Sequence, residues 1–174
     1  MKKPMLAAFA FLLLATVSDA QDTPVVDVAL GYSGIQVVKG FNLMGNGGSG
    51  AVALSINNWL GAVGDFGVYD APAGGLVAGT YTFGPRFSYR HWDRLIPFAQ
   101  ILLGGAHDSG TNAGFTSTSN AFAFGSGGGA DIGLDNGGRF ALRPQLEYFG
   151  FRANGNTTNT VRFSVGIVFR IGKR

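Results

Sequence analysis

The chain has 174 residues, which suits a single domain, and only 13% of them are charged, about half the share found in typical soluble domains. Its formal net charge of +3 is too small and too scattered to predict a nucleic-acid-binding surface. The chain contains no cysteine, which excludes disulfides, thiolate metal sites and cysteine nucleophiles.

The N-terminus has the three parts of a secretory signal peptide. Met1, Lys2 and Lys3 give a positive start, residues 5–17 form an apolar run, and small residues at Ser18 and Ala20 suit a cleavage site. The apolar run is too short for a membrane-crossing helix, which needs about 20 residues. The pattern predicts a cleaved signal peptide over 1–20 and a single mature domain over 21–174, with no membrane helix in the mature part.

Eight later segments alternate apolar and polar residues, which is typical of strands with one apolar and one polar face. The clearest are 139–149 and 161–171, and their length matches the about 9–11 residues that a tilted membrane strand needs. The segment 95–107 is assigned from its flanks and length, because its faces are less distinct. The other five segments are 26–33, 51–56, 60–68, 80–89 and 122–135.

The two faces of these strands differ in a way that favours closure into a barrel. The apolar face is rich in Phe, Val, Leu and Tyr, whereas the other face carries Gly, Ala, Ser and a few charges. An eight-stranded barrel has an interior that side chains just fill, and closure pairs every strand edge, as lipid requires. The sequence therefore predicts an all-β, eight-stranded, antiparallel up-and-down transmembrane β-barrel.

The connecting segments alternate in predicted length. Short turns are expected at 57–59, 91–93 and 136–138, and longer loops at 34–48, 70–75, 108–119 and 150–159. Short turns at one end and long loops at the other are typical of outer-membrane barrels, with the long loops outside the cell. Trp59 and Trp92 fall in short turns, where they would mark the periplasmic membrane interface. The alternative is ordinary packing within the turns.

Taken together, the mature chain resembles the OmpA-like and opacity-protein group of eight-stranded outer-membrane barrels. The resemblance implies an outer-membrane location, in contact with lipopolysaccharide and phospholipid. Residues 164–171 are similar to the C-terminal signal that the barrel assembly machinery reads in this group, with Gly166, Phe169 and Ile171 at its defining positions. Three further residues follow this segment, which departs from the usual ending.

Six charged residues are expected to face the lumen as a network of ion pairs. The predicted pairs are Asp131 with Arg143, Glu147 with Arg162, and Asp65 with Arg86. Such pairs could line a narrow ion path or fill a non-conducting core, and the narrow interior of an eight-stranded barrel favours the filled core.

An enzymatic role is not predicted, and neither a cofactor nor a metal site is expected. The segment His107-Asp108-Ser109 resembles the His-x-Ser arrangement of outer-membrane lipid A deacylases, but an extended backbone would point Asp108 away from its neighbours. The sequence predicts a structural or envelope-integrity role, or surface interaction through extracellular loops whose partner it does not identify. The alternatives are a small porin-like diffusion channel, a deacylase and a soluble lipocalin-like binder.

Overall fold

A computed structural model describes residues 25–38, 43–71, 76–92, 94–112 and 115–172. Neighbouring strands pair antiparallel in chain order, and the first strand pairs with the last, which confirms the predicted closed barrel. Within the described residues, no helix is long enough and apolar enough to cross a membrane. The strands are β1 Val26–Val37, β2 Leu43–Ser55, β3 Leu60–Ala71, β4 Leu76–Ser88, β5 Leu95–Asn112, β6 Phe115–Gly133, β7 Phe140–Ala153 and β8 Asn156–Ile171.

The inward and outward faces follow the alternation of the sequence. On β7, Arg143 and Glu147 are buried, whereas Leu146, which lies between them in sequence, is 60% exposed. On β8, Arg162 and Val168 are buried, and the residues of the opposite parity point outward. The outer wall therefore carries large apolar side chains on every strand.

The predicted difference between short turns and long loops is wrong. At the end expected to carry long loops, called the upper end here, the strands are separated only by residues 38–42, 72–75, 113–114 and 154–155. At the lower end they are separated by 56–59, 89–94 and 134–139. The Gly, Asn, Ser and Thr content of 108–119 suggests a loop, but strand pairing continues there to Asn112 opposite Phe115.

The β7–β8 connection shows why these hairpins can be so tight. Ala153 pairs with Asn156, which leaves Asn154 and Gly155 as the two central residues of the turn. Both have positive φ, at 49° and 81°. This is the conformation that a two-residue hairpin of the primed type requires and that Asn-Gly adopts readily.

The lumen contains large apolar side chains as well as the small and charged ones that the sequence predicts. Phe98, Leu102 and Phe149 are all buried inside the barrel. Glycines on β6 provide the space for their neighbours: a Cβ at Gly125 would lie 2.6 Å from the Phe149 ring, and one at Gly127 would lie 2.6 Å from Cγ of Glu147. A narrow lumen is thus filled by pairing large residues with glycine on the adjacent strand.

Candidate functional site: the charged lumen

A lower charge cluster, formed by Asp27, Asp131, Arg143 and Arg170, lies near the lower end of the lumen. Arg143 donates through Nε and Nη2 to the two Asp131 oxygens, at 2.6 and 2.9 Å. Arg170 donates to Asp27 at 2.8 Å and to Asp131 at 3.2 Å. Asp27 and Arg170 face each other across the β1–β8 pairing, so the seam that closes the barrel carries an ion pair. All four side chains are buried, and their charges balance.

A central charge cluster, formed by Asp65, Arg86, Glu147 and Arg162, fills the middle of the lumen. Arg162 donates through Nε to Glu147 at 2.6 Å and through Nη1 to Asp65 at 2.7 Å. The same Nη1 also donates to the Tyr69 hydroxyl at 3.0 Å. Arg162 is 1% exposed, so this guanidinium on β8 is held by groups on β3 and β7 with almost no access to water.

Arg86 joins the central cluster through a neutral side chain. Its Nε donates to Oε1 of Gln100 at 2.8 Å, and Nε2 of Gln100 donates to Glu147 at 2.7 Å. The Arg86 guanidinium lies 4.4 Å from the centre of the Phe98 ring, and that of Arg143 lies 5.0 Å from the same ring. Phe98 therefore separates the two clusters and contacts a cation from each.

The buried charges of the lumen compensate one another. Among the described residues, the buried ionisable side chains comprise four carboxylates and four guanidiniums. A lone buried charge is costly, whereas a buried pair with good hydrogen bonds is tolerated. The lumen therefore contains a layered, neutral plug of arginines, carboxylates and aromatic rings.

The structure brings together two of the predicted pairs but not the third. Asp131 contacts Arg143, and Glu147 contacts Arg162 across the β7–β8 pairing. The predicted pair of Asp65 with Arg86 is wrong, because Asp65 lies opposite Thr82, four residues from Arg86 along β4. That offset is about 13 Å at strand rise, so Arg86 instead meets Gln100, its direct partner on β5.

Sequence reasoning missed four members of this network. Asp27 and Arg170 have the inward parity of their strands, and they would have been found by assuming that β1 pairs with β8. Gln100 and Tyr69 are uncharged, and nothing in the sequence alone singles them out. Their positions follow only from the register of the closed barrel.

The segment around His107 does not assemble a catalytic triad. His107 is exposed on the outer face, and its Nδ1 lies 2.8 Å from the Asn120 side-chain oxygen. Asp108 faces the lumen. Base and acid therefore point to opposite faces of β5. Among the described residues, no group of three His, Cys, Asp or Glu could hold a metal ion.

The two tryptophans lie at the lower end of the barrel and point outward. Trp59 is 58% exposed and stacks on Phe87 at 6.0 Å, and Trp92 is 53% exposed with its ring edge against Tyr89 at 5.5 Å. Nearby, the lower segment 134–139 is organised by Asp135, whose carboxylate accepts from the backbone amides of Phe140 at 2.8 Å and Arg139 at 3.1 Å. These hydrogen bonds hold the pKa of Asp135 below its usual value.

The residues of the predicted assembly signal lie on β8. Gly166 lies opposite Gly31 of β1, at the seam of the barrel. Phe169 and Ile171 face outward, and the Phe169 ring lies 5.3 Å from that of Phe140 on β7. The predicted signal peptide, residues 1–20, lies outside the described residues.

No protein-family model matches the chain, and no curated protein matches it in sequence. The crystal structure of Neisserial surface protein A superposes on it with a TM-score of 0.67 at 12% identity, covering 84% of this chain and 96% of that one. That of Ail from Yersinia pestis, in complex with the heparin analogue sucrose octasulfate, gives a TM-score of 0.63 at 14% identity and 85% and 99% coverage. The N-terminal barrel domain of Pseudomonas aeruginosa OprF gives 0.64 at 11% identity and 87% and 100% coverage. The chain therefore has the fold of the eight-stranded outer-membrane β-barrels.

Proposed function

We propose that this chain lies in the bacterial outer membrane as a closed, non-enzymatic barrel with a structural or surface-interaction role. The observation that carries the proposal is the combination of an apolar outer wall with a sealed, charge-balanced lumen. An apolar outer wall is stable only against lipid, and a sealed lumen leaves the outer wall and the two ends as the surfaces that can interact.

The apolar wall has the height of a membrane. On β4, the outward residues from Val77 to Phe87 are aliphatic, aromatic or glycine over ten residue steps. With a rise of about 3.3 Å per residue and a tilt of about 40°, this gives a band about 25 Å tall, as in outer-membrane barrels. Beside the upper part of this band the outward residues of β5 and β6 become polar, with His107, which lies opposite Gly79 of β4, and Asn120 as examples.

The orientation follows from the two ends of this band. Trp59 and Trp92 suit the lower membrane interface, where an aromatic ring meets both lipid and water. In this orientation the start of β1 and the end of β8 lie on the periplasmic side. The predicted signal peptide over 1–20 and an assembly signal that includes Gly166, Phe169 and Ile171 fit export followed by insertion through the barrel assembly machinery. The lipid partners are then phospholipid and lipopolysaccharide.

A surface role would depend on extended hairpins rather than on long loops. The β5–β6 pairing continues upward from His107 opposite Asn120, past Gly110 at the upper end of β4, to Asn112 opposite Phe115. Five residue steps of strand correspond to about 17 Å of chain. We propose that this hairpin presents the surface that an extracellular partner would meet.

The sealed lumen argues against the porin-like alternative. In both charge clusters arginines hold the carboxylates, Arg86 through Gln100 and the others directly, and Phe98 fills the space between the clusters. A hydrated ion would have to break several of these hydrogen bonds in a space without bulk water.

Conductance measurements test this proposal. The purified barrel, reconstituted in planar bilayers, is expected to give no discrete ohmic steps, while gel mobility that changes on boiling verifies that it is folded. Steady conductance would support the channel and overturn the sealed lumen. Recovery of the mature chain as a compact monomer in detergent-free buffer would overturn the membrane location.

A further inference from the structure

A cavity of about 310 Å³ occupies the upper part of the lumen. Its wall includes Thr80, Ala106 and Ala121, which are direct cross-strand neighbours on β4, β5 and β6. Tyr69 and Thr160, which are both buried, also line it. Because Tyr69 accepts a hydrogen bond from Arg162, the floor of the cavity is fixed to the central charge cluster.

The cavity exists because small side chains meet at one level of the barrel. Lower in the lumen, large residues such as Phe149 and Arg162 fill the cross-section. At the level of Ala106 and Ala121, short side chains leave the centre empty, and Phe151 is one of the larger apolar residues of the wall. Phe151 stacks against Phe149 at 5.8 Å and does not fill the gap.

The Thr80 hydroxyl adds a polar group to this mostly apolar wall. Thr80 is 7% exposed, and its Oγ1 lies near the Tyr69 hydroxyl but makes no hydrogen bond of normal geometry among the described residues. A buried hydroxyl without a partner loses its hydration without compensation. A ligand with one donor or acceptor at this point would supply the missing hydrogen bond.

We propose that this upper cavity binds a small, uncharged, largely apolar molecule that carries one hydrogen-bonding group. An apolar cavity of about 150 Å³ accommodates benzene, so this cavity suits a molecule about twice that size. Asp108 is the charged residue of the lining and disfavours an anion. The ligand enters from the upper end, since the central charge cluster closes the lumen below. This site goes beyond the proposed function and does not require the lumen to conduct.

A titration with site-specific readout tests the proposal. The barrel is folded in lipid nanodiscs with ¹³C-labelled alanine methyl groups and titrated with naphthalene and with 1-naphthol. Saturable shifts are expected for the Ala106 and Ala121 methyls, and none for Ala53, which is buried lower in the lumen. Shifts that do not saturate, and that are equal at the lipid-facing Ala99, would mean partition into lipid and overturn the proposal.

Two variants separate the cavity from the surrounding lipid. Ala106→Leu places extra carbons in the cavity. It is expected to weaken the binding of both probes at least about tenfold, as one methylene can already do in a tight pocket. Ala99→Leu makes the same change on the outer face of β5 and should leave binding unchanged. Equal affinities for the two variants would refute the assignment.

Thr80→Val keeps the test decisive if Ala106→Leu does not fold. The change replaces a hydroxyl by a methyl group in nearly the same shape. It is expected to weaken 1-naphthol by about three- to tenfold, the effect of one neutral hydrogen bond, and to leave naphthalene unchanged. If Thr80→Val changes the affinities for 1-naphthol and naphthalene equally, the Thr80 hydroxyl does not hydrogen-bond the ligand and that part of the proposal is refuted. The binding titrations do not depend on conductance, so a barrel that fails to bind the probes can be distinguished from a barrel whose lumen is open to ions.

Discussion

Replacement of Arg162 by methionine is expected to destabilise the barrel more than any other single change in the lumen. Methionine keeps the apolar part of the side chain but removes the guanidinium that donates to Glu147 at 2.6 Å and Asp65 at 2.7 Å. It also removes the cation that lies 4.9 Å from the centre of the Phe149 ring. Two buried carboxylates then share only Arg86, which reaches Glu147 through Gln100.

The expected loss in unfolding free energy is about 3–5 kcal/mol, the range measured when one partner of a buried ion pair is removed. Arg152→Met is the matched control, because Arg152 lies on the exposed outer face of β7. Surface changes of this kind usually stay within about 0.5 kcal/mol. Urea unfolding in micelles, followed by tryptophan fluorescence and gel mobility, gives both values.

A second substitution tests whether unbalanced charge is the cause. In the Arg162→Met background, Asp65→Asn leaves Glu147 and Arg86 as one acid and one base. The double variant is therefore expected to be more stable than Arg162→Met alone, although Asp65→Asn by itself destabilises the wild-type barrel. Strictly additive effects in this double-mutant cycle, or a loss below about 1 kcal/mol for Arg162→Met, would refute the reasoning.

Three further changes test other parts of the barrel. Gly127→Ala should lower the urea midpoint strongly, because its Cβ would lie 2.6 Å from Glu147 atoms, whereas Gly79→Ala, with 3.8 Å to its nearest neighbour, should not. Asp135→Asn should lower the urea midpoint at neutral pH. Because the pKa of Asp135 in the folded state lies below 3.8, the difference in midpoint between wild type and variant should be constant above pH 3.8 and should vanish as the pH falls through that folded-state pKa. Phe169→Ala should slow barrel assembly in cells more than Phe140→Ala, while both refold alike in micelles; equal assembly rates would argue against the signal.

Strand positions and faces could be predicted from the sequence because a barrel wall imposes a strict period of two. Arg143, Glu147 and Arg162 point inward as their parity requires. The upper connections could not be predicted in the same way. Toward the upper end of the barrel, both faces of a hairpin meet water or the mouth of the lumen, so a segment such as 108–119 needs no apolar face. The strands continue there through backbone pairing alone, which cannot be predicted from the amino-acid composition of the segment.

The charge network could be predicted only where partners lie on adjacent hairpin strands. Asp131 and Arg143 are separated by a single turn, so counting back from that turn places them opposite each other. Asp65 and Arg162 are 97 residues apart, and their contact depends on the closure of the barrel and the reach of a long side chain across the lumen. Two strands that never pair can still share an ion pair inside a narrow barrel.

The same geometry decides which levels of the lumen are filled and which are empty. The cross-section of an eight-stranded barrel is nearly constant, so about the same volume of side chain is needed to fill each level of the lumen. Where Phe149 or Glu147 projects inward, the adjacent strand carries Gly125 or Gly127, and the level is filled without excess. At Ala106, small residues meet small residues on the neighbouring strands, and among the described residues no large side chain fills the centre of that level. A void of about 310 Å³ follows from that local composition, directly above a floor that Arg162 and Tyr69 hold in place.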